Sequence, residues 1–277
     1  MPWRTSAATV RPFLDTSLPI AFAHRGGAKE APENTMPAFE AAVALGYRYL
    51  ETDTHLTADG VLVAFHDAQL DRVTDRGGRI AELPLGEVQQ ADAGHWFTSD
   101  GGRSFPFRGC GITVPTLEDL LLRCPTARVN IDAKADAAVA PLVDLVRRLD
   151  AFDRVCASSF SDRRVAQIRA LTQGRLCTSM GQNAVAMAWL ASRSGRMPRF
   201  NADCVQVPVR SRGIRVVDRR FVRAAHSAGL QVHVWTVNDE AGMHELFDLG
   251  VDGVMTDKPG LLRAVLTHRG QWSDAAE

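Results

Sequence analysis

No stretch of the 277 residues approaches eighteen consecutive apolar residues, so no transmembrane helix is expected. Net charge is also lacking. Basic and acidic residues number 32 each, and no global field draws the chain to nucleic acid or an anionic membrane. The five cysteines, Cys110, Cys124, Cys156, Cys177 and Cys204, form no C-x-x-C pair and are odd in number. They read as free or buried thiols in a reducing compartment rather than a disulfide framework. Residues 1–19 hold two basic residues and no apolar run long enough for a secretory signal, so a cytoplasmic location is expected. There is no G-x-x-x-x-G-K-[ST] loop, and no G-x-G-x-x-G follows the first apolar run, which argues against a nucleotide-binding open sheet. Internal repeats, low-complexity tracts and interdomain linkers are absent as well.

What remains is the composition of an ordinary globular enzyme, 45% hydrophobic and 23% charged. Residues 1–18 show no periodicity and are expected to be a loosely held lead-in. Short runs rich in Val, Ile, Cys and Ala then recur: Ile20 to Ala23, Tyr47 to Asp53, Arg128 to Ala133, Val155 to Ser158, Leu176 to Ser179, Asp203 to Val207, Gln231 to Thr236 and Asp252 to Thr256. Helical stretches separate them, such as Ala138 to Leu149, Asp162 to Leu171 and Arg219 to Ala228. Asn34 or Thr35 can cap a helix running to Gly46, and Thr116 with Asp119 can cap another. Eight strand–helix alternations predict a (β/α)8 TIM barrel, with a doubly wound sheet as the structural alternative. The expected domain is residues 19–265. Asp59-Gly60 predicts a hairpin that returns His66 towards the strand ends. Residues 70–114, rich in Gly, Asp and Arg, read as an insertion after the second strand. Its Trp96, Phe97, Phe105 and Phe107 are expected to overhang the barrel mouth and narrow the pocket in favour of small head groups.

Functional groups of such a barrel gather where the strands end. His24 ends the first run, Glu51 and Asp53 end the second, and Asp132 and Lys134 end the third; Trp235 ends the seventh. Alternation puts Glu51 and Asp53 on one strand face, where two carboxylates repel unless a cation lies between them. Oxygen ligands of this kind suit one divalent cation, Mg2+ or Ca2+.

In order, His24-Arg25-Gly26, Pro32-Glu33-Asn34-Thr35, Glu51-Thr52-Asp53, Thr57-Ala58-Asp59-Gly60 and His66-Asp67 resemble the signature of the glycerophosphodiester phosphodiesterase family. Asn130 to Lys134, Ser158-Ser159-Phe160, Trp235 to Asn238 and Val251 to Asp257 extend the match over residues 19 to 265. The resemblance implies hydrolysis of a small-molecule glycerophosphodiester to sn-glycerol 3-phosphate and an alcohol. It implies His24 and His66 as the catalytic acid–base pair, and Glu51, Asp53 and Asp132 as metal ligands. Arg25 and Lys134 would bind the phosphoryl group, and Trp235 either packs or walls the pocket for the glycerol moiety. The family pattern has glutamate where this chain has Asp132, one methylene shorter, so its ligation is either through water or needs the strand closer.

The other histidines, His95, His226, His233, His244 and His268, are read as structural or surface residues, while His55 stays open because it shares a face with Glu51 and Asp53. Glu33 and Asn34 read as loop-fixing, and Arg210, Arg212 and Arg215 as a solvated face. Ala184 to Leu190 reads as a helix that packs on the barrel, with a membrane-touching helix as the alternative. The competing functions are a related lipid phosphodiesterase, of the lysophospholipase D or sphingomyelinase D kind, and a non-catalytic phosphate- or lipid-binding barrel. Neither nucleic acid nor stable membrane insertion is expected, and the oligomeric state is left open. Zinc amidohydrolases are set aside because the first strand lacks His-x-His.

Overall fold

The computed structural model describes residues 11–17 and 19–273. The first half of the chain holds strands β1 (Ile20–His24), β2 (Tyr49–Leu56), β3 (Leu62–Ala64), β4 (Arg128–Ala133) and β5 (Val155–Ser158). With them go helices α1 (Met36–Ala44), α2 (Leu85–Val88), α3 (Leu117–Arg123) and α4 (Val139–Arg148). The second half holds β6 (Cys177–Thr178), β7 (Cys204–Pro208), β8 (Arg210–Ser211), β9 (Ile214–Arg215), β10 (Gln231–Trp235) and β11 (Gly253–Thr256). Its helices are α5 (Asp162–Leu171), α6 (Gln182–Arg193), α7 (Arg219–Ser227), α8 (Glu240–Leu249) and α9 (Pro259–His268).

Eight strands pair in the order β6-β5-β4-β2-β1-β11-β10-β7, each neighbouring pair parallel. A parallel bridge between Ser179 and Cys204 joins the two ends, so the sheet closes as a (β/α)8 barrel. Each of the eight predicted apolar runs supplies one barrel strand. Alternation divides them. Ala21, Ala23, Leu50, Val129, Ile131, Val205, Val232 and Val254 face outward into the layer shared with the helices. Ile20, Phe22, Tyr49, Cys156, Cys177, Cys204 and Met255 fill the barrel interior.

The lead-in departs from expectation. Residues 1–10 and 18 lie outside the described residues, but Pro12–Leu14 forms a 3-10 turn with Phe13 and Leu14 buried in the interior cluster. Tyr49 Oη donates to Phe13 O (2.8 Å) and Gln231 Nε2 to Leu14 O (2.9 Å), closing the lower end of the barrel. Burying two large apolar side chains there offsets part of the cost of ordering a short segment.

The hairpin forms as read. β3 pairs antiparallel with β2, Leu62 opposite Leu56, and Gly60 takes φ +84° in the turn. Thr35 caps α1 and Thr116 caps α3 with Asp119 completing a capping box. Residues 70–114 fold on themselves. Leu70, Ile80, Val88, Ala91 and Val114 bury together with Val63 and Phe65 of the hairpin. The four aromatics pair among themselves, Trp96 with Phe105 and Phe97 with Phe107, and Arg108 stacks over Trp96 and Phe105.

His226, on α7, is tied to the barrel. Its Nε2 lies 2.8 Å from Asp252 Oδ2, which also accepts from Val232 N at 2.7 Å. The bond to Asp252 raises the His226 pKa above its ordinary 6.5, against the opposing effect of burial. A raised folded-state pKa means the stabilisation is complete below about pH 6.5 and fades as pH climbs through the raised value. The stability gap between wild type and His226→Gln, read by urea unfolding, should therefore narrow from pH 6 to pH 9. The pair is half-exposed, so the gap at pH 6 is on the order of 0.2–1 kcal/mol.

Candidate active site

All eight residues singled out from the sequence, His24, Arg25, Glu51, Asp53, His66, Asp132, Lys134 and Trp235, line one cavity of about 550 Å³. Strand alternation explains the convergence. His24, Glu51, Asp53 and Asp132 are inward positions at the C-terminal ends of adjacent strands, with His24 opposite Glu51 and Asp53 opposite Asp132 in register. The hairpin brings His66 to the same mouth, since Phe65 N donates to Asp53 O (3.0 Å).

Three carboxylates are buried here: Glu51, Asp53 and Asp132 are 5%, 2% and 7% exposed. Lys134 Nζ spans two of them, 2.8 Å from Asp53 Oδ1 and 2.6 Å from Asp132 Oδ2. Arg25 Nε lies 3.1 Å from Asp53 Oδ2, and the backbone N–H of Arg25 donates to Glu51 Oε2 at 3.1 Å. Burial works against charge on Asp53, but Lys134 and Arg25 overcome it and hold its pKa below the ordinary value. Glu51 fares differently. Burial, then repulsion from Asp53, pushes it up to about 7 despite His24 and Arg25. Burial likewise raises Asp132 in spite of Lys134.

Among the described residues, no three His, Cys, Asp or Glu side chains stand gathered as a metal-ligand group. The donor chemistry nevertheless fits a hard cation. All three candidates offer oxygen, Asp132 Oδ1 is buried with no partner, and burial holds two of the carboxylates above their usual pKa. Asp132 lines the cavity, with Oδ2 bound by Lys134 and Oδ1 without a hydrogen-bond partner.

Each cavity histidine has a carboxylate behind it. His24 Nδ1 is 2.6 Å from Asp257 Oδ1, and Asn238 Nδ2 donates to Asp257 Oδ2 at 2.8 Å. His66 Nδ1 is 2.6 Å from Asp67 Oδ1. The His24 pair, against burial, lowers the pKa of Asp257, and Arg72 and His66 do the same for Asp67. An ionised carboxylate only accepts, so Nδ1 carries the hydrogen in both rings and Nε2 is left free of that bond. His24 Nε2 lies 3.7 Å from Glu51 Oε2. Burial opposes charge on His24, yet Glu51 and Asp257 together raise its pKa above 6.5.

Sequence reasoning missed Asp257, Asp67 and Arg72. Asp257 follows the last barrel strand, and Asp67 adjoins His66, so both stood where strand ends place functional groups. Arg72 carried no local signal. From the segment after His66 it reaches Glu33 with two nitrogens (2.8 and 2.6 Å) and Asp67 with a third (2.5 Å). Glu33 in turn accepts from Arg25 Nη1 at 2.9 Å. Asn34, at φ +54°, accepts from Thr52 and donates to Asp53, so this loop is fixed as the sequence suggested. His55 Nε2 lies 3.0 Å from His66 O; outside the cavity lining, it braces the hairpin.

Trp235 lines the cavity and meets Phe160 edge-on, ring centroids 5.7 Å apart. Among the described residues, none of 70–114 lines it, which corrects the expected overhang. The aromatics of that segment are spent on their own packing, Trp96 Nε1 donating to Thr74 O at 2.9 Å. Cavity walls come from the opposite quarter, α6 and the β8–β9 hairpin.

Comparison with known proteins is consistent. Residues 24–261 match the model of the glycerophosphoryl diester phosphodiesterase family. The chain is 41% identical over 264 residues to a protein of Mycobacterium tuberculosis named probable glycerophosphodiester phosphodiesterase 2, covering 92% of this chain and 94% of that one. It is 30% identical over 271 residues to the glycerophosphodiester phosphodiesterase of Bacillus subtilis, covering 94% and 90% of the two. A solved phosphodiesterase of Oleispira antarctica, in complex with its product sn-glycerol 3-phosphate, superposes with TM-score 0.76 at 27% identity, over 90% of this chain and 97% of that one.

Arg72 ties the loop holding Arg25 to the hairpin holding His66. Arg72 is half-exposed, so these pairs are worth on the order of 0.2–1 kcal/mol each. In Arg72→Ala, amide hydrogen exchange across residues 25–35 and 64–70 should accelerate about tenfold or more, with the strands β4 and β5 unchanged. Arg72→Lys should recover part of the protection, since one ammonium cannot fork to both carboxylates.

Proposed function

Because the chain belongs to the glycerophosphoryl diester phosphodiesterase family, we propose that it hydrolyses glycerophosphodiesters to sn-glycerol 3-phosphate and an alcohol by histidine acid–base chemistry beside a divalent cation. One observation carries the histidine reading: His24 and His66 line a single cavity, and each has its Nδ1 bound at 2.6 Å to its own carboxylate. Residues 19–265 are read as the catalytic unit, with 70–114 as its insertion.

Phosphodiester hydrolysis needs neutralised phosphoryl oxygens, an activated nucleophile and a protonated leaving group. Glu51, Asp53 and Asp132 would hold the cation, Mg2+ or Ca2+, which supplies Lewis acidity towards the phosphoryl oxygens. Arg25 and Lys134 add positive charge at the same end of the cavity, where negative charge grows in the transition state. The two imidazoles divide the proton traffic. At one Nε2 the nucleophile loses its proton; at the other Nε2 the departing alkoxide gains one. Asp257 and Asp67, behind the rings, hold the tautomer and stabilise each imidazolium as it forms. Trp235 walls the side that takes the glycerol moiety.

The direct test is sn-glycerol 3-phosphate release from glycerophosphocholine by the purified protein. Exhaustive chelation should abolish it and added Mg2+ or Ca2+ restore it, while Glu51→Gln should lose both turnover and cation affinity, the latter measured by calorimetry. Full turnover after chelation would remove the cation from the reading.

A second test separates the histidines. A nitrophenyl ester of glycerol phosphate leaves without protonation, so loss of the general acid should matter little for it, against about 10²–10⁴-fold for an alkyl ester. Of His24→Ala and His66→Ala, one should regain most of its rate on the activated ester and the other should stay impaired on both. Equal behaviour of the two variants would refute the division of labour.

A further inference from the structure

Positive charge is unevenly placed along a chain whose formal net charge is zero. Between Arg193 and Arg223 stand nine arginines and only two acidic residues, Asp203 and Asp218. Both acids are already taken: Asp203 pairs with Arg11 and Arg169, and Asp218 with Arg193. The fold gathers part of the surplus at a second cavity, of about 410 Å³, between the end of α6 and α7. Arg193, Arg220 and Arg223 line it together with Ser192, Ser194 and Ser227, and no carboxylate is among its lining residues.

Spacing of i, i+3 and i+7 puts Arg220, Arg223 and Ser227 on one stripe of α7, where the two like charges repel. Among the described residues neither Arg220 nor Arg223 has an ion pair or a side-chain hydrogen bond, and both are exposed. Arg193 is held differently. It binds Asp218 with two nitrogens (2.5 and 2.9 Å), and its Nε and Nη2 reach Ser192 Oγ at 3.1 and 3.0 Å. The serine hydroxyls are committed as donors to helix carbonyls, Ser192 to Trp189 O, Ser194 to Ala191 O and Ser227 to Arg223 O. The donors left for a ligand are those of Arg220 and Arg223, with Arg193 as a fixed part of the wall.

We propose that this second cavity binds a phosphate dianion, as inorganic phosphate or the end of a small phosphate monoester, between Arg220 and Arg223. The chemistry selects the class. A guanidinium presents a planar fork that matches two phosphate oxygens, so two forks on neighbouring turns hold one phosphoryl group from two sides. Concavity decides for a small ligand over a nucleic acid or a membrane, which a flat basic face would suit better. The cavity lies close behind the catalytic one. α6 contributes Trp189 to the catalytic cavity and Arg193, stacked on the Trp189 ring at 4.9 Å, to this one. The inference does not depend on the phosphodiesterase reading, because no residue of the charged end takes part.

Calorimetric titration with inorganic phosphate and with methyl phosphate tests it, wild type against the double variant Arg220→Gln, Arg223→Gln. The catalytic end is the same in both proteins, so the difference isolates this cavity. Two exposed guanidinium contacts imply a Kd on the order of 1 mM, and the double variant should weaken it about tenfold or more. Hydrogen exchange places the ligand: phosphate should slow the amides of residues 192–195 and 219–224 in the wild type and leave them unchanged in the double variant. Both side chains are exposed, so the two proteins should melt at the same temperature. Vesicles of phosphatidylglycerol and a single-stranded oligonucleotide form the comparison arms. Equal phosphate affinity in the two proteins overturns the proposal, as does phosphate binding that slows no amide of those two segments. So does a wild type that binds the vesicles or the oligonucleotide through these arginines while neither phosphate nor methyl phosphate binds there.

Discussion

Everything at the mouth of this barrel answers to one constraint, the burial of like charge. Glu51, Asp53 and Asp132 are brought together by strand register and nearly sealed from water. Three anions cannot share that space on their own, because a carboxylate removed from solvent without a partner costs several kcal/mol. The chain supplies two fixed cations, Lys134 and Arg25, and they do not suffice: Asp53 is held ionised, while Glu51 and Asp132 are held above their ordinary pKa. Burial is the main cause of those two raised values, and one aspartate oxygen is left unpartnered, so the site offers the oxygen donors that the proposed divalent cation would use.

The same economy runs outward through the histidines. Each imidazole is backed by a carboxylate, and each carboxylate is itself anchored, Asp257 by Asn238 and Asp67 by Arg72. Arg72 does more than anchor, since its other nitrogens bind the Glu33 that holds Arg25. The segment after the His66 hairpin therefore serves the site from behind. Its aromatics pack away from the cavity, and its contribution is one guanidinium that joins two loops.

Phe13 and Leu14 close the lower end of the barrel, and the candidate site lies at the strands' C-terminal ends. There the strand ends β1, β2 and β4 supply charge, and the connections after β6 and β7 supply hydrocarbon. Separating the two lets the polar end be dense and rigid, while the loops opposite remain free to define what else the cavity accepts.

The amino-acid sequence by itself determined the eight strand–helix alternations and the shared face of Glu51 and Asp53. It also placed His24 and Asp132 at strand ends and capped helices at Thr35 and Thr116. Each of these is written in neighbouring residues, as a period of two or 3.6, a glycine stop or a cap, and so is legible without a fold. Only the tertiary structure decided that Asp257 stands behind His24, 233 residues away, and that Arg72 reaches back to Glu33. It alone turned the insertion's aromatics away from the cavity and opened a wall along α6. Those outcomes depend on barrel closure, where Ser179 meets Cys204 and the first strand meets the last. Contacts made by closing a ring join residues that share no local pattern, and no periodicity records which of them will meet.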